Sequence, residues 1–268
     1  MSEITILLLY LLAAVAFAVS RLPRFESVSR GAFVGAMGFA LAGLLLHVQF
    51  LNAEINPESG LILSIESTLS LVGLQLALIG VLGALEPRLR GMTSGLLALA
   101  AIATLPLGLQ GDVTQTMELT WQIQAHILTS IFSYGLLAAG AIIAVFALVQ
   151  DRRLSSSKFS AVNHLFAPLE TTEKLLFGVA TAGFIGLLLS VVSGFTFVED
   201  LFAQHLVHKT ALSILALILF GILVAGRMFA GWRGKRAVYL YLSGFALLCL
   251  AYFGARYILE EILGRSWS

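Results

Sequence analysis

The sequence predicts an all-α integral membrane protein, a bundle of about eight transmembrane helices. The 268 residues are 59% apolar and only 12% charged, whereas a soluble domain carries about 25% charged residues. The mean hydropathy is +0.95. The apolar residues form long runs without the alternation of a membrane β-barrel. Backbone groups in lipid must be bonded within their own segment, so each run is expected to be a helix.

Eight apolar runs define the predicted spans, because a spanning helix needs about 20 residues. Prolines at 23, 57 and 87 and glycines at 111 and 231 mark breaks between them. Positive charges follow the first run, the reverse of a cleaved signal peptide, so we expect a permanent span there. The spans are 4–20, 31–52, 61–85, 92–109, 122–150, 175–197, 208–229 and 237–259.

The distribution of Lys and Arg predicts the orientation in a bacterial inner (cytoplasmic) membrane. Thirteen of the 16 basic residues fall in one set of loops, and the other set holds only Lys209, Arg256 and Arg265. The positive-inside rule places the basic loops in the cytoplasm and both termini outside. The whole chain, 1–268, is then a single transmembrane domain with no sizeable soluble part.

Charge and cysteine content exclude other classes. A net charge of +1 does not favour a nucleic-acid partner. Cys249 is the single cysteine, so an intrachain disulfide is impossible. The chain contains no C-x-x-C-H sequence and is therefore not itself a covalent c-type haem carrier.

Three histidines, His47, His126 and His208, lie within about two turns of the predicted outer ends of different spans. An ionisable residue inside a membrane helix is a functional-site hypothesis by default. Neutral imidazole is a ligand of haem iron, zinc and copper. Two histidines from facing helices would clamp a haem b in a bundle. The alternative for each is an interfacial residue hydrated by water or lipid headgroups. His205 lies in an outer loop, and His164 lies on the cytoplasmic side.

His126 begins a polar face on the fifth span. Positions 126, 130, 133, 134 and 137 share this face at helical spacing. It carries Ser130 and Tyr134 and is expected to point into the bundle. Ser130 or another hydroxyl would fix the tautomer of the His126 imidazole. Small residues of the sixth span (Gly183, Gly186, Ser190, Ser193 and Gly194) form a second face, interpreted as a helix-packing surface.

Two cations near the predicted outer surface are further candidates for ligand binding. Arg256 and Lys209 would each bind a haem propionate, because charge-assisted bonds to carboxylates are strong. Arg256 would alternatively pair with Glu66 of the third span. Snorkelling to the headgroups is the other interpretation for these side chains.

Several segments, in this order and at matching topology, are typical of one known family. They are residues 121–134, 168–177, 193–195, 208–210, 226–227, 231–237 and 252–254. On these segments the chain resembles the cytochrome c assembly membrane protein family, in its short CcsA-related HemX/YpjD-like branch. The resemblance covers most of residues 120–260.

The resemblance implies a haem-handling function. Larger members bind haem and present it to apocytochrome c outside the membrane, and His126 matches their first extracytoplasmic haem-ligating histidine. Their tryptophan-rich segment is missing from residues 198–209, and their second outer histidine is missing from residues 250–268. Their membrane-embedded histidine is also replaced, near Ala225 and Gly226. We therefore do not expect a complete haem-ligase enzyme.

The function expected from the sequence is haem b binding or handling near the extracytoplasmic face, in cytochrome c biogenesis or tetrapyrrole metabolism. A haem-accepting or cytochrome-assembly protein would be its partner, alongside the lipid bilayer. Two alternatives stay open: a divalent-cation transporter or transport accessory subunit, and a ligand-free membrane assembly partner. Transport sites usually lie near the midplane, where this chain has few charges.

Overall fold

A computed structural model describes residues 2–55, 65–105, 120–155, 168–197 and 207–254. These ranges contain eight α-helices and no strand. Each predicted span overlaps one helix, so the all-α prediction is confirmed. The helices are α1 (Ser2–Val19), α2 (Ser29–Ile55), α3 (Ile65–Ala84), α4 (Arg90–Ala103), α5 (Trp121–Ser155), α6 (Leu169–Phe197), α7 (Val207–Ala230) and α8 (Lys235–Cys249).

Five of these helices, α2, α3, α5, α6 and α7, are long and apolar enough to cross a membrane. Helices α1 and α4 are apolar but shorter. Helix α8 has 15 residues and continues into one π-helical turn, Leu250–Gly254. The structure thus contains several membrane-spanning helices, while eight crossings and outward termini stay predictions.

Prolines and charged helix ends explain where the helices depart from the apolar runs. Helix α4 ends at Ala103 rather than 109, because the ring of Pro106 disfavours the α conformation of residue 105. Helix α6 begins directly after Pro168 rather than at 175. Its first turns are polar but helical, and they contain an ion pair of 2.8 Å between Lys174 and Glu170 at (i, i+4) spacing.

The chain divides into two compact units. The first unit comprises Met1–Met117 and Val145–Lys174, and the second comprises Glu118–Ala144 and Leu175–Ser268. Helices α5 and α6 each contribute residues to both units. The prediction of one domain over 1–268 stays a prediction.

In the first unit, each of four helices packs against two of the others. Helix α1 packs against α2 and α4, and α3 packs against the same two helices. Tyr10 and Phe17 of α1 are fully buried. Gly43 of α2 permits close approach, since a Cβ there would lie 2.9 Å from Cε1 of Tyr10. Small residues at such crossings favour packing between membrane helices.

The second unit uses side-chain to backbone hydrogen bonds between its helices. The Ser133 hydroxyl of α5 donates to the Gly183 carbonyl of α6 at 2.9 Å. The Tyr241 hydroxyl of α8 donates to the Leu137 carbonyl of α5 at 3.0 Å. The Tyr241 ring also packs edge-on against Phe220 of α7, with centroids 5.1 Å apart. These contacts hold α5 against α6 and α8, and α8 against α7.

Candidate functional site

The site is built around His126, in the second turn of α5. Its imidazole is half-buried, and its Nδ1 lies 2.9 Å from Oγ of Ser193 on α6. Gly194, the next residue on α6, faces the ring edge, because a Cβ at that position would lie 3.1 Å from Cε1 of His126. Hydrogen bonding and close packing therefore hold the ring between the two helices.

The hydrogen bonds of Ser193 favour the tautomer of His126 that carries its proton on Nδ1. The Ser193 hydroxyl donates its one hydrogen to the Ser190 carbonyl at 2.9 Å. Its oxygen therefore accepts from the Nδ1–H of His126. A neutral imidazole has one such hydrogen, so Nε2 keeps its lone pair. The Ser190 carbonyl also accepts a hydrogen bond from the His126 ring. Metal-ligating histidines have this arrangement, in which one nitrogen is oriented by a neighbour and the other is available to the metal.

A second pair of hydroxyls locks the backbone beside His126. The Ser130 hydroxyl donates to the His126 carbonyl at 2.7 Å. Its oxygen lies 2.6 Å from Oγ of Ser190. Ser130 thus holds the main chain of His126, whereas Ser193 orients the ring. The predicted packing surface on α6 is confirmed, since it contacts α5 through these serines and the neighbouring glycines.

In the same unit, one cation at the start of α7, Lys209, lies near two tyrosines, Tyr252 and Tyr134. The Lys209 ammonium interacts electrostatically with His126. Its Nζ lies 5.5 Å from the ring centroid of Tyr252, in the π-helical turn. The Tyr252 and Tyr134 rings lie 6.0 Å apart. The Tyr134 hydroxyl forms a hydrogen bond with the Ser213 side chain. Tyr134 and Lys209, both predicted site residues, are thus linked through Tyr252, and Lys209 is the one whose charge acts on His126.

His47 belongs to the first unit and has a different environment. Its side chain is fully buried on α2. Nδ1 lies 3.1 Å from the Tyr10 hydroxyl, and Nε2 lies 2.8 Å from the Ser70 hydroxyl. Both ring nitrogens are therefore occupied by hydrogen bonds, and a metal would have to displace one of these partners. The prediction of His47 as a ligand is untested, but its geometry suits a structural role.

The remaining predicted site residues lie partly or wholly outside the described part of the chain. His208 is in the first turn of α7, but its side chain is not described, and Arg256 lies beyond the described residues. His164 and His205 also lie outside them. Among the residues that are described, no three His, Cys, Asp or Glu side chains form a metal-binding group. The ligand set, including His126, stays a prediction.

The helices and the oriented histidine define a multi-pass membrane protein with a candidate ligand site. The family described as Cytochrome C assembly protein matches residues 2–263. The chain therefore belongs to this family. The match extends over nearly the whole chain, further than the region 120–260 on which the sequence resemblance was based.

Relatives with curated descriptions support the same assignment. Inner membrane protein YpjD of Escherichia coli strain K12 is 31% identical over 258 residues, which cover 94% of this chain and 98% of the relative. An uncharacterized 28.8 kDa protein in the nifR3-like 5' region of Azospirillum brasilense is 28% identical over 172 residues, 63% of each chain. No solved structure matches. The protein is a multi-pass protein of the bacterial inner membrane, and its family supports a membrane role in cytochrome c biogenesis.

Proposed function

We propose that the protein binds haem b through Nε2 of His126 and handles haem in cytochrome c biogenesis or tetrapyrrole metabolism. The observation that carries the proposal is the hydrogen-bond order at Ser193, which leaves the Nε2 lone pair available. When bound, haem supplies an iron that accepts imidazole ligands and propionates that accept charge-assisted hydrogen bonds.

The described residues fit such a group by their chemistry. His126 would be one ligand of the iron, and Lys209, whose charge acts on His126, would pair with a propionate. His208 precedes Lys209 in the first turn of α7 and is the proposed second ligand. His47 is the less suitable choice, because both of its nitrogens are already hydrogen-bonded. The absent tryptophan-rich segment and second outer histidine favour holding or transfer of haem over catalysis of its attachment.

Orientation is part of the proposal. We propose eight crossings with both termini outside, which puts the Trp121 end of α5 at the extracytoplasmic surface. Helix α5 has Arg152 and Arg153 in its last turn, at the opposite end from His126. At about 1.5 Å per residue, His126 lies about 7 Å along α5 from Trp121. Haem held at that depth would be accessible to a haem-accepting protein at the extracytoplasmic face.

Haem titration of the purified protein in detergent tests the proposal. The wild type is expected to give one saturable site with a Soret band. His126→Ala is expected to abolish the band while the helical circular dichroism is retained. His164→Ala is the matched control, because it removes an imidazole from the opposite side of the proposed topology. A wild type without a saturable band, or equal loss in both variants, would contradict the proposal.

A further inference from the structure

The turn between α7 and α8 is held rigidly by its own residues. The Trp232 amide donates to the Gly226 carbonyl at 3.1 Å. Nη1 of Arg227 donates to the Trp232 carbonyl, also at 3.1 Å. Gly231 and Gly234 have φ values of 63° and 64°, in the left-handed region that glycine adopts without a steric penalty. The turn therefore presents its side chains in a fixed arrangement.

The Trp232 indole packs against the α7 backbone and against the Arg236 side chain. A Cβ at Gly226 would overlap its indole, so the ring lies directly against the α7 backbone. The Arg236 guanidinium lies 4.2 Å from the indole ring centroid. A guanidinium stacked on an aromatic ring keeps its N–H edge available for hydrogen bonds. Arg236 is exposed, so that edge is accessible.

Cationic and apolar side chains surround this turn on the surface. We define the 228–236 patch by Met228, Phe229, Arg233, Lys235 and Arg236. Met228 and Phe229 are 70% and 87% exposed, and the three cations are exposed as well. The sequence from 207 to 254 contains no Asp or Glu, so the two helices that flank the turn bring no acidic side chain to the patch.

We propose that the 228–236 patch binds the phosphate of an anionic phospholipid headgroup. The patch begins in the last turn of α7, a helix long and apolar enough to cross the membrane, and therefore lies at the depth of the headgroups. Tryptophan is typical of that depth. Arginine binds phosphate through paired N–H groups. Phe229 and Met228 would contact the acyl chains while Arg233 and Arg236 contact the phosphate.

The net charge of the headgroup distinguishes this site from general lipid contact. Phosphatidylcholine carries the same phosphodiester as phosphatidylglycerol, but its choline neutralises the phosphate charge. Each juxtamembrane cation favours an anionic surface by about fivefold at moderate salt. Loss of the Arg233 and Arg236 charges together is then expected to weaken binding of an anionic lipid by about 25-fold. This site is independent of haem binding at His126.

Quenching of Trp232 fluorescence by brominated lipid measures the proposed contact. Trp121→Phe and Trp267→Phe leave Trp232 as the single tryptophan of the full chain. The purified protein is titrated in detergent micelles with dibrominated phosphatidylglycerol or dibrominated phosphatidylcholine. The expected result is half-maximal quenching at a much lower mole fraction of the anionic lipid. Arg233→Gln with Arg236→Gln is expected to raise that mole fraction by about 25-fold.

Two controls test whether quenching depends on the arginines of the 228–236 patch and whether the ligand is a lipid rather than free phosphate. Arg24→Gln with Arg30→Gln removes two exposed arginines from the first unit and is expected to leave Trp232 quenching unchanged. Inorganic phosphate is expected not to displace the brominated lipid. Equal quenching by both lipids, equal loss in the control variant, or displacement by phosphate alone would each overturn the proposal. Circular dichroism verifies that every variant retains its helices.

Discussion

The Ser193→Ala substitution tests whether haem binding depends on the orientation of the His126 imidazole or only on the packing of α5 against α6. It removes the oxygen that accepts the Nδ1–H of His126 at 2.9 Å. The imidazole then loses the side-chain partner that favours its tautomer and orients its plane, while the Ser190 carbonyl stays in place. Ser130 still donates to the His126 carbonyl, so the α5 backbone is expected to stay in place.

The expected magnitudes for stability and for haem affinity differ. One neutral hydrogen bond contributes about 1 kcal/mol to stability, and the Ser193 side chain is only half-buried. Loss of a group that orients a metal-ligating histidine typically weakens metal binding by about 10- to 100-fold. We therefore expect Ser193→Ala to weaken haem binding by about 10- to 100-fold with little change in unfolding.

Haem titration followed by absorbance, alongside chemical unfolding in detergent, measures both quantities. Ser133→Ala is the matched control, because it also removes a serine hydroxyl at the α5–α6 contact but does not touch His126. Ser193→Thr keeps a hydroxyl and is expected to retain most of the affinity. Unchanged affinity in Ser193→Ala, or equal loss in Ser133→Ala, would refute the reasoning about the tautomer.

Three further predictions concern stability, each measured by unfolding in detergent. Ser70→Ala is expected to cost about 1–3 kcal/mol, because it leaves a nitrogen of the buried His47 without its partner; unchanged stability would contradict a structural role. Tyr241→Phe is expected to cost about 1 kcal/mol through loss of one buried hydrogen bond, and an unchanged midpoint would refute that. Gly183→Val is expected to cost about 1–3 kcal/mol by overpacking against α5. Gly178→Val, where a Cβ meets nothing within 4 Å, is its control, and equal destabilisation would count against the packing argument.

The helices could be predicted from sequence because lipid requires continuous apolar runs with internally bonded backbones. Their ends were less predictable, because charged residues continue a helix beyond the apolar run. Helix α5 extends to Ser155 through Arg152 and Arg153, and α6 includes Glu170 and Lys174. A prediction from hydropathy alone ends the helix at such charges, although charged residues can be favourable near helix ends.

The site could be predicted only in part, because hydrogen bonds between helices depend on register. Spacing along α5 placed His126 on a polar face, and the serines of α6 were visible as small residues. The pairing of His126 with Ser193 depends on how α5 and α6 align, which no local pattern encodes. The partners of His47, Tyr10 and Ser70, come from two other helices and likewise left no local signal.

Chemical rescue with imidazole tests most directly whether Nε2 of His126 binds the haem iron. His126→Gly removes the ligand and leaves space beside Gly194, where added imidazole would take its place. If Nε2 of His126 binds the iron, the variant lacks the wild-type Soret band and imidazole restores it in a saturable manner. A variant that keeps the wild-type band without imidazole, or a band that imidazole does not restore in the folded variant, would show that His126 is not the iron ligand.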